Sequence, residues 1–262
     1  MLGRRTSRLK PHIPRSLGRR LALLFVVALV AAGFYYFGGR EQFRAPSEEL
    51  PPVTMSVEQE VLIGHQATFQ LIQQHGGVDS DEEGQALVER IGARLVERSE
   101  AGKTPYHFSF RLLADPTVVD VFALPGGPIF LTAGMAARLR TEGEFAAVLA
   151  HALAHVAERH PTRRVDQQDP RSPEALIAQA LDVTYTPGEE AQADTLAVGF
   201  MAEAGYDPRA LIGVMETLQR AAAGGNSPAF FNTHPNPDRR IEHLQRAIEK
   251  RYPNGVPEGL VK

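Results

Sequence analysis

An α+β, mostly helical fold is expected from the sequence, with a small antiparallel sheet interrupting a run of helices and one N-terminal transmembrane helix preceding the whole. Three features lead there. Residues 21–39 form an uncharged apolar run behind a basic arm. Most of the chain after residue 54 repeats its apolar residues with the period of a helix, between recognisable caps. Only between about 106 and 132 does that period shorten to the two residues of a strand. Helices, then a few short strands, then helices again is the order of an α+β domain rather than of repeated βαβ units.

The N-terminal part is read from charge. Residues 1–44 hold nine Lys or Arg and one acid, which leaves 19 basic and 30 acidic residues for the rest. So acidic a domain is not a nucleic-acid binder. The basic residues of 1–20 precede "LALLFVVALVAAGFYYFGG", 21–39, whose helical length of roughly 28 Å matches a hydrocarbon core of about 30 Å. Positive charge before such a run places the N-terminus in the cytoplasm and the domain on the far side, so the expected location is the inner membrane with a periplasmic or otherwise extracytoplasmic domain. The aromatic group "FYYF" (34–37) suits the membrane interface of an uncleaved anchor. A cleaved signal peptide, with "VAA" at 30–32 as the processing site, is the alternative. The chain has no Cys, which excludes disulfides and a lipid-modified cysteine. Residues 40–53 are charged and Pro-bearing, a linker; 54–250 form the domain and 251–262 a C-terminal tail.

Within the domain, "SVEQEVLIGHQATFQLIQQHGG" opens with a Ser56/Gln59 capping box and stops at glycine. "DEEGQALVERIGARLVERS" places Leu87, Val88, Ile91 and Leu95 on one helical face. "YHFSFRLL" then alternates, with Tyr106, Phe108, Phe110 and Leu112 on one side, and "VVDVFAL" (118–124) and "PIFLT" (128–132) flank the turn "PGGP". Thr141 and Glu144 start, as a capping box, the helix "EFAAVLAHALAHVAERH", which Pro161 ends. Ser172-Pro173, Asp207-Pro208 and Asn236-Pro237 each pair an N-cap with proline at the first helical position, and Gly205 suits the stop of a helix over about 188–204.

One of these helices carries chemistry. His151 and His155 are one turn apart, so both rings lie on one face and aim at one point. Between them, where zinc proteases carry a glutamate, stands Ala152. A catalytic zinc needs a third protein ligand and an open position; "EEAQAD" offers Glu190 as that ligand, with Asp194 one turn on to accept a hydrogen bond from a ligand histidine and fix its tautomer. His65, His75, His107, His160 and His243 read as surface or capping residues, His160 at a helix C-terminus where the dipole favours it.

In order, "VFALPGGPIFLTAGM", "AHALAHVAERH", "YTPGEEAQADTLAVGFMAEAGYDP" and "NTHPNPDRRIEHL" resemble the motifs of the gluzincin zinc metallopeptidase family M48, which takes in CAAX prenyl endopeptidases, Oma-type mitochondrial proteases and periplasmic β-barrel-assembly-enhancing proteases. The resemblance runs from about Met55 to Leu244. It implies a gluzincin-like zinc metalloprotease domain holding one Zn2+ through His151, His155 and Glu190, with Asp194 behind a ligand. It also implies that position 152 is that of the general base, and that His234 lies near the metal, stabilising an oxyanion or filling the open position in a resting form. Arg240 matches an arginine that reads best as a structural ion pair. Substrate would be held as an extended strand against the segment near 118–123. Departures from the pattern are Asp120-Val121 in place of Asn-Ala, Pro187 in place of Arg, and a short segment between His155 and Glu190.

Ala152 can neither take a proton from water nor return it. Loss of a general base costs roughly 10²- to 10⁴-fold in rate and leaves the metal bound, because that glutamate is no ligand. Glu158 and Glu189 are poorly placed to substitute, one nearly two turns along the helix and the other beside a ligand. The resemblance therefore implies a membrane-anchored zinc metalloendopeptidase of misfolded or envelope proteins, its partner an unfolded or extended polypeptide, crippled at its base. The alternative is a non-catalytic, zinc-stabilised pseudoprotease that binds extended polypeptides.

Overall fold

The computed structural model describes residues 52–166, 172–225, 227–235 and 237–262, all within one compact unit, Ala45–Lys262. The basic arm, the apolar run 21–39 and most of the linker lie outside the described residues. Among the described residues no helix is long and apolar enough to cross a membrane.

Helix α1 (Val57–Gln74) starts at the expected box: Ser56 Oγ accepts from Gln59 N–H (3.3 Å) while Gln59 Oε1 accepts from Ser56 N–H (2.9 Å). Helix α2 (Glu82–Arg98) is capped by Asp81 and buries Val88, Ile91 and Leu95. A 3-10 turn (Glu100–Lys103) leads to β1 (Ser109–Leu113), β2 (Val121–Ala123) and β3 (Pro128–Thr132). A one-turn α3 (Ala133–Ala136) precedes α4 (Glu142–Ala157), α5 (His160–Asp166), α6 (Pro173–Leu181), α7 (Pro187–Glu203), α8 (Ala210–Ala223), α9 (Phe230–Thr233) and α10 (Pro237–Arg251).

The mostly helical α+β prediction holds, but the sheet is mixed rather than antiparallel. Its order is β1-β3-β2, with β1 parallel and β2 antiparallel to β3. Periodicity assigns faces but not neighbours. The centre goes to β3 because Ile129 and Leu131 pack into the main core while Phe130 packs into a second cluster on the opposite face, with Ile63, Leu71, Leu113 and Leu124. A strand buried on both faces belongs inside the sheet. The β2–β3 turn needs its glycines: Gly126 and Gly127 have φ of 77° and 130°, and a Cβ on Gly126 would sit 2.5 Å from Val61 Cα of α1.

Several helix ends differ from expectation. Helix α4 stops at Ala157, not at Pro161, because Arg159 takes a left-handed φ of 60°. That turn is held by the Arg159 guanidinium, which pairs with buried Glu60 and donates to Met55 O (2.6 Å). Pro161 then lies in the first turn of α5. Thr141 caps α4 through Glu144 N–H (3.2 Å), but the Glu144 carboxylate turns back to Arg140 N–H (2.5 Å), so the box is not reciprocal. Asp207 caps a preceding turn, accepting from Arg209 N–H (2.9 Å), and α8 begins at Ala210. Ser172 and Gly205 behave as expected: Ser172 caps α6, and Gly205 (φ 80°) ends α7 with Tyr206 N–H bonded to Met201 O (2.8 Å). Asn236 lies outside the described residues. The residues set apart as a tail return to the domain, where Val261 makes backbone hydrogen bonds with Gly205 (3.0 Å) and Asp207 (2.8 Å).

Candidate metal centre

Helix α4 is buried on nearly every side, and its packing builds the site. Ala146, Ala147, Ala150, Ala152 and Ala154 are all within 1% of full burial, as are Ala193 and Ala197 of α7. Small residues on both helices let α4 and α7 approach closely, which sets His151 and His155 against Glu190 and Asp194. Helix α7 is fixed in register by a reciprocal Thr186/Glu189 capping box, and Arg164 pairs with the buried Glu189.

The four residues His151, His155, Glu190 and His234 each bring one ligand atom within 4.8 Å of the others, all buried. His151 Nε2 and His155 Nε2 are 3.1 Å apart. Glu190 Oε2 is 3.6 Å from the first and Oε1 3.6 Å from the second. Tetrahedral zinc with ligand bonds of roughly 2.0–2.1 Å requires ligand atoms about 3.3 Å apart, so the spacings suit it.

Hydrogen bonds fix the tautomers, because an amide N–H only donates and a carboxylate only accepts. Gln192 Nε2 donates to Glu158 (2.5 Å), so its Oε1 accepts from His160 Nε2–H (3.2 Å). His160 Nδ1 is then bare and accepts from His155 Nδ1–H (3.1 Å), which leaves His155 Nε2 bare. His151 Nδ1 faces Asp194 Oδ1 at 3.1 Å, which leaves its Nε2 bare as well. In the same way Thr233 Oγ1 donates to Phe230 O (3.1 Å) and accepts from His234 Nδ1–H (2.7 Å), so His234 keeps Nε2 free. Two lone pairs facing each other at 3.1 Å, the His151 one also 3.3 Å from Arg240 Nη2, beside a buried carboxylate neither of whose oxygens has an aligned hydrogen bond, fit a cation between them.

The electrostatics agree. Burial holds His151, His155 and His234 below the ordinary imidazole range, with neighbouring rings and Arg240 adding to the effect, so all three are the neutral form that binds metal. Burial pushes the Glu190 carboxyl up, against the pull of Arg240. Burial acts upward on Asp194 too, but Arg240 and His151 bring it net below the carboxylate range. Arg240, 2% exposed, makes the ion pair read from the sequence: Nε and Nη2 donate to Asp194 (2.9 and 2.6 Å), and Nη1 lies 2.7 Å from Glu190 Oε2.

The residues expected at the site, His151, Ala152, His155, Glu190, Asp194 and His234, all lie in this centre or on its ligand helix. The reading of His160 as a surface or C-terminal capping residue is corrected, since it is fully buried beneath His155. The left-handed Arg159 swings it there, a backbone event that periodicity does not announce. Sequence reasoning also passed over Gln192, although it sits between Glu190 and Asp194. Tyr185, whose ring centroid is 3.7 Å from that of His155, and Phe230, stacked on His234 at 4.2 Å, were missed because an aromatic in a loop or a one-turn helix carries no periodic signal.

The edge strand is partly engaged. On either side of β2 the backbone of Asp120 and Leu124 bonds to β3, through Thr132 N–H (3.2 Å) and Pro128 O (2.9 Å), so by alternation residues 119, 121 and 123 turn their polar groups outward. The Val119 carbonyl accepts from Phe230 N–H (3.0 Å), and the Val121 N–H is capped by Asp120 Oδ1 (2.8 Å). Val121 C=O and both groups of Ala123 stay open among the described residues.

A model of Peptidase family M48 matches residues 82–170 and 172–248. The chain is 24% identical over 261 residues to the beta-barrel assembly-enhancing protease of Yersinia pestis, covering 87% of this chain and 53% of that protein. It is 25% identical over 193 residues to the protein of the same name from Escherichia coli strain K12, covering 63% and 39%. Against the mitochondrial metalloendopeptidase OMA1 of Schizosaccharomyces pombe it is 25% identical over 272 residues, covering 97% and 77%. The chain thus spans about half the length, or less, of the bacterial relatives it matches.

Proposed function

The chain belongs to peptidase family M48, and on that basis we propose that it is a zinc-dependent endopeptidase of unfolded or extended polypeptides whose proton-transfer step is weakened by Ala152. The observation that carries this reading is the pair of bare imidazole nitrogens facing Glu190 in a buried centre. His151, His155 and Glu190 would hold one zinc. When bound, that ion supplies Lewis-acid polarisation of a carbonyl and a water of lowered pKa. The chain's own residues do the rest. Asp194 and His160 orient the ligand rings, the open groups of Val121 and Ala123 pair with an extended substrate, and His234, whose Nε2 is bare, would fill the open position in a resting form. Position 152, on the helix between the ligands, supplies no carboxylate.

Quality control of envelope proteins is the biological role this reading favours. It follows the beta-barrel assembly-enhancing proteases among the relatives and the apolar run 21–39, taken as an anchor that leaves the domain outside the cytoplasm. The direct test is Ala152→Glu in the zinc-loaded full chain. On unfolded casein the variant should exceed the parent by roughly 10² or more, the ordinary worth of a positioned base, and a chelator should abolish the gain. A variant that binds zinc, keeps its thermal stability and still cleaves neither casein nor envelope proteins would replace this reading with a non-catalytic polypeptide-binding module.

A further inference from the structure

Glu60 of α1 has no part in the mechanism above, yet it is fully buried and gathers donors from distant segments. Tyr106 Oη and Thr162 Oγ1 each donate to its Oε2 (2.8 Å), and the Arg159 guanidinium pairs with its Oε1. A buried carboxylate is kept only when it is paired and hydrogen-bonded, so it fixes its partners as they fix it. Two of those partners, Arg159 and Thr162, stand on either side of His160, whose Nδ1 meets His155 Nδ1 at 3.1 Å. The chain just before Glu60 adds to the grip. Met55 O accepts from Arg159 Nη2 (2.6 Å), and Thr54 N–H and Oγ1 donate to Asp166 (2.6 and 2.8 Å), the last residue of α5.

What this grip holds is a strained turn. Arg159 has a φ of 60°, a conformation that a side chain disfavours and that glycine adopts freely. An arginine stays there only while its guanidinium is anchored, and Glu60 is the carboxylate that anchors it. Were the turn to relax, His160 would leave its place between His155 and Gln192, and the His155 proton would no longer be confined to Nδ1. We propose that Glu60 is a positioning residue of the metal centre: through Arg159 it holds the turn that seats His160, and so keeps His155 Nε2 bare for zinc. This role rests on the metallopeptidase reading, which supplies the zinc.

The test compares the full chain with Glu60→Gln and with the double change Glu60→Gln and Arg159→Gly. Glutamine keeps the shape of Glu60 but not the charge that anchors Arg159. It should weaken zinc binding roughly 10-fold in chelator competition, as the loss of an outer partner of a ligand histidine does. A second readout needs no metal. Nitrogen-15 NMR of the metal-free chain should show His155 protonated at Nδ1 alone in the parent and shared between Nδ1 and Nε2 in Glu60→Gln, the signal being identified by its loss in His155→Ala. In the double variant glycine forms the turn without an anchor and no buried charge is orphaned, so most of the lost affinity and the single His155 tautomer should return. A Glu60→Gln chain that melts earlier yet matches the parent in zinc affinity and tautomer overturns the proposal, because Glu60 is then structural only. If Glu60→Gln does not fold, the double variant decides: near-parent affinity supports the role, and a loss overturns it. A double variant no better than a folded Glu60→Gln also overturns it. A parent that binds no zinc overturns the metallopeptidase reading, and this role with it.

Discussion

His155 and His160 meet through their Nδ1 atoms at 3.1 Å, a contact between residues on either side of the left-handed turn at Arg159. One imidazole thus fixes the tautomer of another, and Gln192 closes the chain from a second helix.

His160→Ala should weaken zinc binding roughly 10- to 100-fold, the usual worth of an outer partner to a ligand histidine. Chelator-competition titration reads this directly. An affinity equal to the parent's would show that His155 needs no such partner.

Zinc removal should destabilise the domain. At a free zinc concentration 100 times its Kd, binding to the folded state adds about 2.7 kcal/mol, or roughly 5–10 °C in Tm for a domain of this size. Calorimetry with and without chelator measures the shift. The double change His151→Ala and His155→Ala should abolish it.

Arg240→Met should cost about 3–5 kcal/mol in the metal-free protein, since it leaves Asp194 and Glu190 buried without their shared cation. Denaturant unfolding gives the value. Added zinc should recover part of the loss, because the ion replaces the positive charge facing Glu190.

Acid should destabilise the metal-free fold from below pH 6.5. Burial holds His160 at about 4 against an ordinary 6.5, so between those values the unfolded chain binds a proton that the folded one refuses. Stability is full above 6.5 and declines toward pH 4, by on the order of 3 kcal/mol for this residue. His155 and His234, also held low by burial, act in the same direction, while Glu190, held up, opposes them. Replacing His160 with Gln should flatten the decline in urea midpoints measured across this range.

Ala123→Pro should weaken capture of an extended peptide with little effect on stability. The Ala123 N–H points away from β3, and an outward edge position is where a strand tolerates proline. Peptide binding followed by fluorescence anisotropy, beside a thermal melt, separates the two effects. Unchanged binding would place the substrate off this strand.

The helical domain, the capped starts at Ser56 and Ser172, the stop at Gly205, and the residues His151, His155, Glu190 and Asp194 were all legible in the amino-acid order. The caps and the turn-spaced pairs rest on local spacing, since caps act within three residues and side chains one turn apart share a helix face whatever the rest of the chain does; the joining of Glu190 and Asp194 to the histidines rests on the family motifs as well. Other features emerged only on folding. The strand order β1-β3-β2 follows from which strand can bury both faces. The placement of His160 under His155 follows from one left-handed residue. The approach of Tyr185 to His155 and of Phe230 to His234 follows from chain reversals that bring segments distant in sequence to the same centre. Such contacts depend on long-range packing, where the burial of a whole element, not the preference of its own residues, sets the position of each side chain.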